Sequence, residues 1–471
     1  MTSDNRSNIK DMRPGTREAD RKSVLPSPGA VGDKAAREES LLPNRESYVY
    51  IPTIESMVIH ENMQGAIDAV KSNKGAPGID GITTEEIEAV FNERWPKIKQ
   101  EILTGKYRPS PVRRVNIPKP DGSGVRQLGI PTVMDRIIQQ AVYHEISLAF
   151  DPLFSEHSYG FRPRRSAHQA VLQAQQYILD GYDWVVDIDL EKFFDKVNHD
   201  ILMARVARVI KDKMILLLIR RFLQSGVMEG GLVSQTVEGT PQGGPLSPLL
   251  SNIMLDDFDK ELEKRGLRFA RYADDCNIYV KSERAGHRVM ESLTKFLTTK
   301  LQLKVNQQKS AVDRPWNRKF LGFTFRNGGV PAAIVIHPSR IKRFKDRIKG
   351  LTKRMKSGNL QKFIKDHLTR VTQGWAGYFR LSDDKEIFKK LDEWIRRRIR
   401  AILWRQWKTP GARIRNLIAL GIKPGKAKES GYSSKGSWRM SHTPSVDGAL
   451  TKAFIASMGY KSMSEMACVR S

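Results

Sequence analysis

Apolar residues first recur at three- and four-residue spacing in Ile54, Met57, Val58, Met63, Ile67 and Val70, which predicts a helix over 54–72. Its stop signal is the turn-rich Lys74-Gly75-Ala76-Pro77-Gly78. Residues 1–48 carry Arg, Asp, Ser, Pro and Gly with little periodic apolar content. A disordered tail is expected there, because such a segment buries too little surface to offset the entropy of ordering. Further on, Val112-Arg113-Arg114-Val115-Asn116-Ile117-Pro118 alternates in character, Lys119-Pro120-Asp121-Gly122-Ser123-Gly124 supplies turn chemistry, and Val125-Arg126-Gln127-Leu128 resumes the alternation. This is the pattern of a hairpin with basic side chains. Trp184 to Asp189 reads as a half-buried strand, and Ile201, Leu202, Val206 and Ile210 mark one face of a helix that starts after Asn198. A loop of glycines and prolines, Gly239 to Pro245, feeds another helix with Leu246, Leu250, Ile253, Met254, Phe258 and Leu262 on one face. From Arg268 to Val280 the pattern is extended on both sides of Ala273-Asp274-Asp275, so these two carboxylates are expected at or beside a hairpin turn.

The last third changes character. Between Arg340 and Arg370 twelve lysines or arginines face only Asp346 and Asp366, while Ile341, Phe344, Ile348, Leu351, Phe363 and Leu368 form a helical apolar stripe. A second cluster, Trp394 to Arg400 followed by Trp404-Arg405-Gln406-Trp407, mixes cations with aromatic faces. The clustering matters because the whole chain is basic: 80 Lys and Arg against 52 Asp and Glu give +28 over 471 residues. With a pI near 10.0, this points to a polyanionic partner, nucleic acid before a membrane surface. The length suits two or three domains. Cys276 and Cys468 form no set with ligand spacing, which argues against a disulfide framework or structural zinc. Neither a membrane span nor a secretory signal is legible, so a soluble, cytoplasmic protein is expected.

The candidate chemistry is carboxylate-based. Transfer of a nucleotidyl group needs an activated 3′-hydroxyl and a stabilised pyrophosphate, and two Mg2+ ions roughly 3.5–4 Å apart serve both. Three aspartates converging from neighbouring strands would suit them, and Asp189, Asp274 and Asp275 are candidates if their strands are adjacent. Taken singly the signals are weak: an Asp-Asp pair is more often a solvated turn, Asp189 alone could cap a helix, and Asp187 lies on the same strand face as Asp189.

The order of blocks resembles the group II intron reverse transcriptase and maturase family, most closely its bacterial class C members, over nearly the whole chain after the tail. The resemblance rests on Gly75-Ala76-Pro77-Gly78-Ile79-Asp80-Gly81, Ile117-Pro118-Lys119-Pro120 through Arg126-Gln127-Leu128-Gly129-Ile130-Pro131, and Tyr159-Gly160-Phe161-Arg162-Pro163, which are similar to the family's fingers blocks. Asp189-Leu190-Glu191-Lys192-Phe193-Phe194-Asp195 resembles the first catalytic block, which selects Asp189 over Asp187, and Tyr272-Ala273-Asp274-Asp275 resembles the second. By this resemblance Asp189, Asp274 and Asp275 are catalytic and, with the Leu190 backbone carbonyl, hold two Mg2+ ions, for which Mn2+ can substitute. Phe194 lies where the family keeps a ring beneath the incoming sugar, which would exclude a 2′-hydroxyl. Lys119 and Arg126 match residues that grip the triphosphate. Gln242, in Thr240-Pro241-Gln242-Gly243-Gly244-Pro245, matches the block that contacts nucleotide and template, and Lys309 matches the lysine that protonates the leaving pyrophosphate.

Phe320-Leu321-Gly322-Phe323 is similar to the block closing the palm, and Gly374-Trp375-Ala376-Gly377-Tyr378-Phe379 resembles the hallmark of the thumb, or domain X, which grips intron RNA. Arg340, Lys342, Arg343, Arg347, Trp375, Tyr378, Arg396 and Arg397 are the RNA contacts this implies. The expected fold class is α+β, a right-hand polymerase followed by an α-helical thumb. Its parts are a tail at 1–48, fingers at 49–180, palm at 181–332, thumb or domain X at 333–425, and a short basic DNA-binding region at 426–471. The sequence departs from larger family members in showing no paired cysteines and histidines of a carboxy-terminal nuclease. The implied activity is RNA-directed DNA synthesis during retrohoming together with assisted splicing. The implied partners are group II intron RNA, an RNA template with a DNA primer, a DNA target and deoxynucleoside triphosphates. The alternatives are a splicing cofactor without polymerase activity, and a reverse transcriptase of another bacterial system, in defence or diversity generation. No feature of the sequence fixes an oligomeric state.

Overall fold

The computed structural model describes residues 50–118, 124–229, 231–234, 238–240, 243–355 and 358–468, and residues 50–471 fall in one compact unit. Its strands are β1 (Val112–Pro118), β2 (Val125–Ile130), β3 (Trp184–Ile188), β4 (Val227–Glu229) and β5 (Leu232–Ser234), then β6 (Arg268–Tyr272), β7 (Asp275–Val280), β8 (Ala311–Asp313), β9 (Phe323–Phe325) and β10 (Ile334–Ile336). The principal helices are α1 (His60–Ser72), α2 (Val133–Phe150), α3 (Ala167–Leu179), α4 (Ser247–Lys264) and α5 (Glu283–Lys300), followed by α6 (Pro338–Arg354), α7 (Thr369–Phe379) and α8 (Glu386–Gln406).

Two four-stranded sheets organise the first two-thirds. One runs β2-β1-β4-β5 and contains the basic hairpin, with Arg126 level with Ile117 across the ladder. The other runs β6-β7-β3-β8, with β3 antiparallel to both neighbours. Alternation along this second sheet divides the molecule. Val186, Ile188, Phe269, Cys276, Ile278 and Val280 join the core shared with α1, α2, α4 and α5. Val185, Ala270 and Tyr279, one residue out of phase, join the core shared with α3 and the carboxy-terminal helices. By the same parity Asp187, Asp189 and Asp275 belong to this second face.

Local chemistry fixes the ends of the elements. The Asn198 side chain accepts from the backbone N–H groups of Asp200 and Ile201 at 3.0 Å each, starting the helix His199–Val209 that holds the next segment against the palm. The helix expected over 54–72 is interrupted, with turns at Ile54–Met57 and α1 beginning at His60. The Asn62 side chain accounts for the break: it donates to the carbonyls of Met57 (2.8 Å) and Ala141 (3.2 Å), satisfying a group that a continuous helix would have used.

Packing crosses two of the expected domain boundaries. Helix α3, assigned by sequence to the fingers, packs on β6 and β7. Among the described residues after 426, Met440, Val446, Leu450, Ile455, Tyr460 and Met463 are buried in the same core as α7 and α8. The tie is Asp392 on α8, whose carboxylate accepts from the Tyr460 and Ser462 hydroxyls at 2.6 Å and the Met463 and Ser464 amides at 3.0 Å. Burial opposes charge on Asp392, but these four donors outweigh it and hold the carboxyl below its usual range. No helix among the described residues is long and apolar enough to cross a membrane.

Candidate active site

The hairpin of β6 and β7 pairs Tyr272 with Asp275, leaving Ala273-Asp274 as a two-residue turn. Ala273 takes φ +58°, the left-handed conformation that such turns require and that is costly for a residue with a Cβ. Its surroundings hold it there. Arg271, buried with 0 % exposure, donates twice to Asp259 on α4 (2.6 and 2.5 Å), once to the Ala273 carbonyl (2.8 Å), once to the Ser158 hydroxyl (2.8 Å) and once to Asn252 Oδ1 (3.0 Å). Asn252 in turn donates to the Gly160 carbonyl at 2.8 Å. Gly160 lies so close to the turn that a Cβ there would stand 2.4 Å from the Ala273 nitrogen. The glycine of the Tyr159-Gly160-Phe161 block is therefore a contact requirement, not a hinge.

Asp189 follows β3 directly. Continuing the β3–β7 register one step past Ile188 and Cys276 sets it level with Asp275. Its backbone is fixed by the segment after α5: the Asp189 amide donates to Ser310 Oγ (3.0 Å), and its carbonyl accepts from the Asn306 amide (2.8 Å). Asp187, the rival on the same face, is engaged by Arg318, which donates to its carboxylate at 2.6 and 3.0 Å. That pairing leaves Asp189, Asp274 and Asp275 as the carboxylates without an arginine partner of their own among the described residues.

Electrostatics shows how near these groups lie. Burial pushes Asp275 up to about 8, and Asp187, Asp274 and Asp189 add to the rise, with Lys319 opposing it. Asp274 is raised by burial and by Asp189, against its own backbone amide and the Arg126 guanidinium. Like charges crowded in a low-dielectric site favour either a proton or a cation, so the residues present fit a divalent metal. Among the described residues no three acidic, histidine or cysteine side chains are placed so as to hold a metal ion together. Mg2+ usually takes one or two carboxylates and completes its shell with water and substrate phosphates.

A cavity of about 450 Å3 is bounded by Arg126, Leu128, Arg136, Phe161, Phe194 and the Gly243–Pro245 loop; no aspartate lines it, but Arg126 is the cation whose charge reaches Asp274, and Phe161 packs on Tyr272 at 6.0 Å. Of the two adjacent phenylalanines, Phe193 is buried in the core and Phe194 faces the cavity, with the rings edge to face at 5.2 Å. Gly244 allows the loop to close on α2, where a Cβ would meet Gln139 Oε1 at 2.2 Å. Lys119 and Gln242 lie outside the described residues. Leu190 is buried and bridges to Val305. Lys309 is exposed on the turn after the Val305 bridge, and its carbonyl accepts from Arg318 at 2.6 Å. The cation whose charge reaches Asp275 is Lys319, which the sequence reading did not single out.

Arg340, Arg343 and Arg347, on one face of α6, meet Trp375 and Tyr378 of α7 around a cavity of about 640 Å3, with Arg370 as a further cation missed from sequence. Tyr378 donates to the Leu321 carbonyl at 2.8 Å, joining the Phe320–Phe323 block to α7. Trp375 stacks on Phe344 at 4.3 Å, so much of its ring is packing. Lys342 is exposed and does not line this cavity. Arg396 and Arg397 lie on α8 beside a different cavity. Arg396 is only 8 % exposed as a whole residue.

Two four-stranded sheets with aspartates at a β-turn, a basic hairpin whose Arg126 lines a cavity of about 450 Å3, and a basic helical region after residue 337 are the features of a template-dependent polymerase of the right-hand class. A family model for reverse transcriptase (RNA-dependent DNA polymerase) matches residues 117–325, and one for the group II intron maturase-specific domain matches residues 341–419. The chain belongs to the group II intron reverse transcriptase and maturase family, in which divalent metal is used. It is 34% identical over 281 residues to Protein YkfC of Escherichia coli, covering 51% of this chain and 74% of that protein. To the group II intron-encoded protein LtrA of Lactococcus lactis it is 40% identical over 200 residues, 42% of this chain and 33% of LtrA. The putative COX1/OXI3 intron 1 protein of Saccharomyces cerevisiae is 33% identical over 208 residues, 44% of this chain and 25% of that protein.

Proposed function

We propose that this protein copies intron RNA into DNA by two-metal nucleotidyl transfer during retrohoming, and that it acts as the maturase of its own intron, of the bacterial class C type, in the cytoplasm. The observation that carries the polymerase half is the convergence of the Ala273-Asp274 turn and Asp189 beside the cavity that holds Arg126 and Phe194. Asp189, Asp274 and Asp275 would hold two Mg2+ ions, with the Leu190 carbonyl assigned as a further ligand, and the ions would supply activation of the primer 3′-hydroxyl and neutralisation of the leaving pyrophosphate. Arg126 orients the triphosphate of an incoming deoxynucleotide; Lys119 and Gln242, outside the described residues, take their roles toward triphosphate, nucleotide and template from the family resemblance. Phe194 closes the floor of the cavity against a 2′-hydroxyl. Lys309 is assigned the proton donated to pyrophosphate.

The maturase half is supported by the arginines of α6 around the Trp375 and Tyr378 cavity. Guanidinium groups on a rigid helix suit phosphates of folded RNA, which is recognised mainly through shape, backbone and 2′-hydroxyls. Filter binding of the full chain to its intron RNA and to an unrelated RNA of equal length tests this half. Preferential retention of the intron RNA together with accelerated splicing is expected. Equal retention with no effect on splicing would refute it.

A further inference from the structure

Phe194 borders a second space besides the cavity of about 450 Å3. This smaller cavity, of about 230 Å3, is lined by Gln127, Lys192, Asp195, Gly239 and Thr240 as well as by Phe194. A side chain that borders two cavities lacks the surrounding contacts that fix a core residue in one place. Its neighbour Phe193 lies in the core, but the two rings meet edge to face at 5.2 Å. The main chain beneath Phe194 must therefore set where the ring stands. That main chain is a single helical turn, Phe193–Lys196, entered through Lys192 at φ +48°. One turn fixes several dihedral angles for little hydrogen bonding, so it depends on contacts from elsewhere.

Those contacts come from residues 238–240. The Thr240 amide donates to the Phe194 carbonyl at 2.6 Å, and the Gly239 amide donates to the Val197 carbonyl at 2.7 Å. Gly239 takes φ +90°, and a Cβ there would stand 2.9 Å from both the Phe194 and the Asp195 carbonyl oxygens. Glycine thus lets the segment press directly on the main chain that carries the ring. The segment is itself fastened. The buried His199 ring meets the Gly239 carbonyl at 2.7 Å through Nε2. A carbonyl oxygen only accepts, so Nε2 carries the proton. Residues 194–199 and 238–240 are in this way joined by two main-chain bonds and one side-chain bond, all within a few residues of Phe194.

We propose that Gly239 and His199 are positioning residues for sugar selection. His199 holds the Gly239 carbonyl, Gly239 and Thr240 hold the Phe194 main chain, and the ring stays where a 2′-hydroxyl would meet it. The inference rests on the reading of Phe194 as the residue that excludes the 2′-hydroxyl, and extends it to residues that act only through Phe194.

The test uses the full-length chain on an RNA template with a DNA primer. One nucleotide is added as its deoxy or its ribo form, and the ratio of the two kcat/KM values is read, with thermal melting run in parallel. Phe194→Val is the reference and should lower the ratio most. Gly239→Ala displaces the Phe194 and Asp195 carbonyls, and His199→Leu releases the Gly239 carbonyl. Each is expected to lower the ratio about tenfold, less than the ~100-fold that a misplacement of about 1 Å can cost. Ribonucleotide addition should rise in both. His199→Gln, whose side-chain amide can still donate to a carbonyl, should recover most of the ratio. Added to Phe194→Val, Gly239→Ala should lower it no further, because both act through one ring. An unchanged ratio in folded Gly239→Ala and His199→Leu, while Phe194→Val lowers it, would overturn the proposal. So would equal losses on both nucleotides, losses that only follow melting temperature, or full additivity in the double variant. A ratio that Phe194→Val itself leaves intact would instead remove the reading of Phe194, and the proposal with it.

Discussion

Replacing Arg271 with lysine asks whether the buried guanidinium positions the Asp274 turn or merely stabilises the palm. Lysine keeps the charge opposite Asp259, where both partners are almost fully buried, but its ammonium is a point donor and cannot span the planar fork. The contacts to Ser158 Oγ, Asn252 Oδ1 and the Ala273 carbonyl, at 2.8, 3.0 and 2.8 Å, are the ones lost. At about 1 kcal/mol for each net hydrogen bond the expected destabilisation is ~3 kcal/mol, rising towards ~5 if the ion pair also fails. The turn would then keep the β6–β7 ladder and the close packing of Gly160 but lose its side-chain anchor, and a displacement of about 1 Å at a reacting group can cost ~100-fold in rate. Single-turnover primer extension at saturating Mg2+, well below the variant's melting temperature, should show a rate reduced by about 10- to 100-fold. Affinity for the deoxynucleotide should change little, because Arg126 and Phe194 are untouched. A folded Arg271→Lys variant that extends primers at the wild-type rate would refute the positioning role.

Two other perturbations separate charge from structure. Asp275 is raised from 3.8 to about 8 in the metal-free protein, so its protonated form contributes stability fully present below about pH 4 and lost as pH rises through about 8. Asp275→Asn should therefore raise the melting temperature in EDTA at pH 8, by an amount worth ~1–3 kcal/mol once the burden is shared with Asp187 and Asp274. Mg2+ should narrow that gap and release protons from the wild type; a variant no more stable than wild type in EDTA would contradict the crowding. Asp392 has the opposite sign: its lowered value gives stability present above about pH 4 and lost as pH falls towards the folded value. Asp392→Asn should cost ~2–4 kcal/mol at pH 7, less at pH 3, and expose the carboxy-terminal helices to limited proteolysis first. Equal stability of the two proteins at pH 7 would show that the four hydrogen bonds tie nothing down.

Much of this architecture was legible in the sequence because it depends on local signals. The alternation around Lys119–Gly124 and around Ala273-Asp274 encodes two hairpins, and in the second the carboxylates fall where the turn falls. Asp189 is legible as a residue at the end of a strand, but its level with Asp275 is a property of register, which only pairing reveals. The choice between Asp187 and Asp189 could not be made from parity, since both point to one face, and was made from the family resemblance; Arg318, 131 residues downstream, engages Asp187, a contact the sequence does not show. Arg271 went unnoticed for a similar reason. It looks like one cation among 80, and its importance comes from meeting Asp259 and Asn252 on α4 and Ser158 from a second, distant segment. The packing of the short helices after 426 on α8 was not legible because it runs through Asp392, one of three acidic residues in a basic helix, and through contacts some 70 residues apart in sequence.

The measurement that tests the central claim most directly is primer extension on an RNA template with Mg2+ and deoxynucleotides, comparing the wild type with Asp274→Asn while intron RNA binding is followed in the same preparations. The substitution is nearly isosteric and removes one charge from the turn. The account predicts that copying collapses in the variant while RNA binding survives. A well-folded wild type that binds RNA and copies nothing, or a variant that copies as well as wild type, would contradict it.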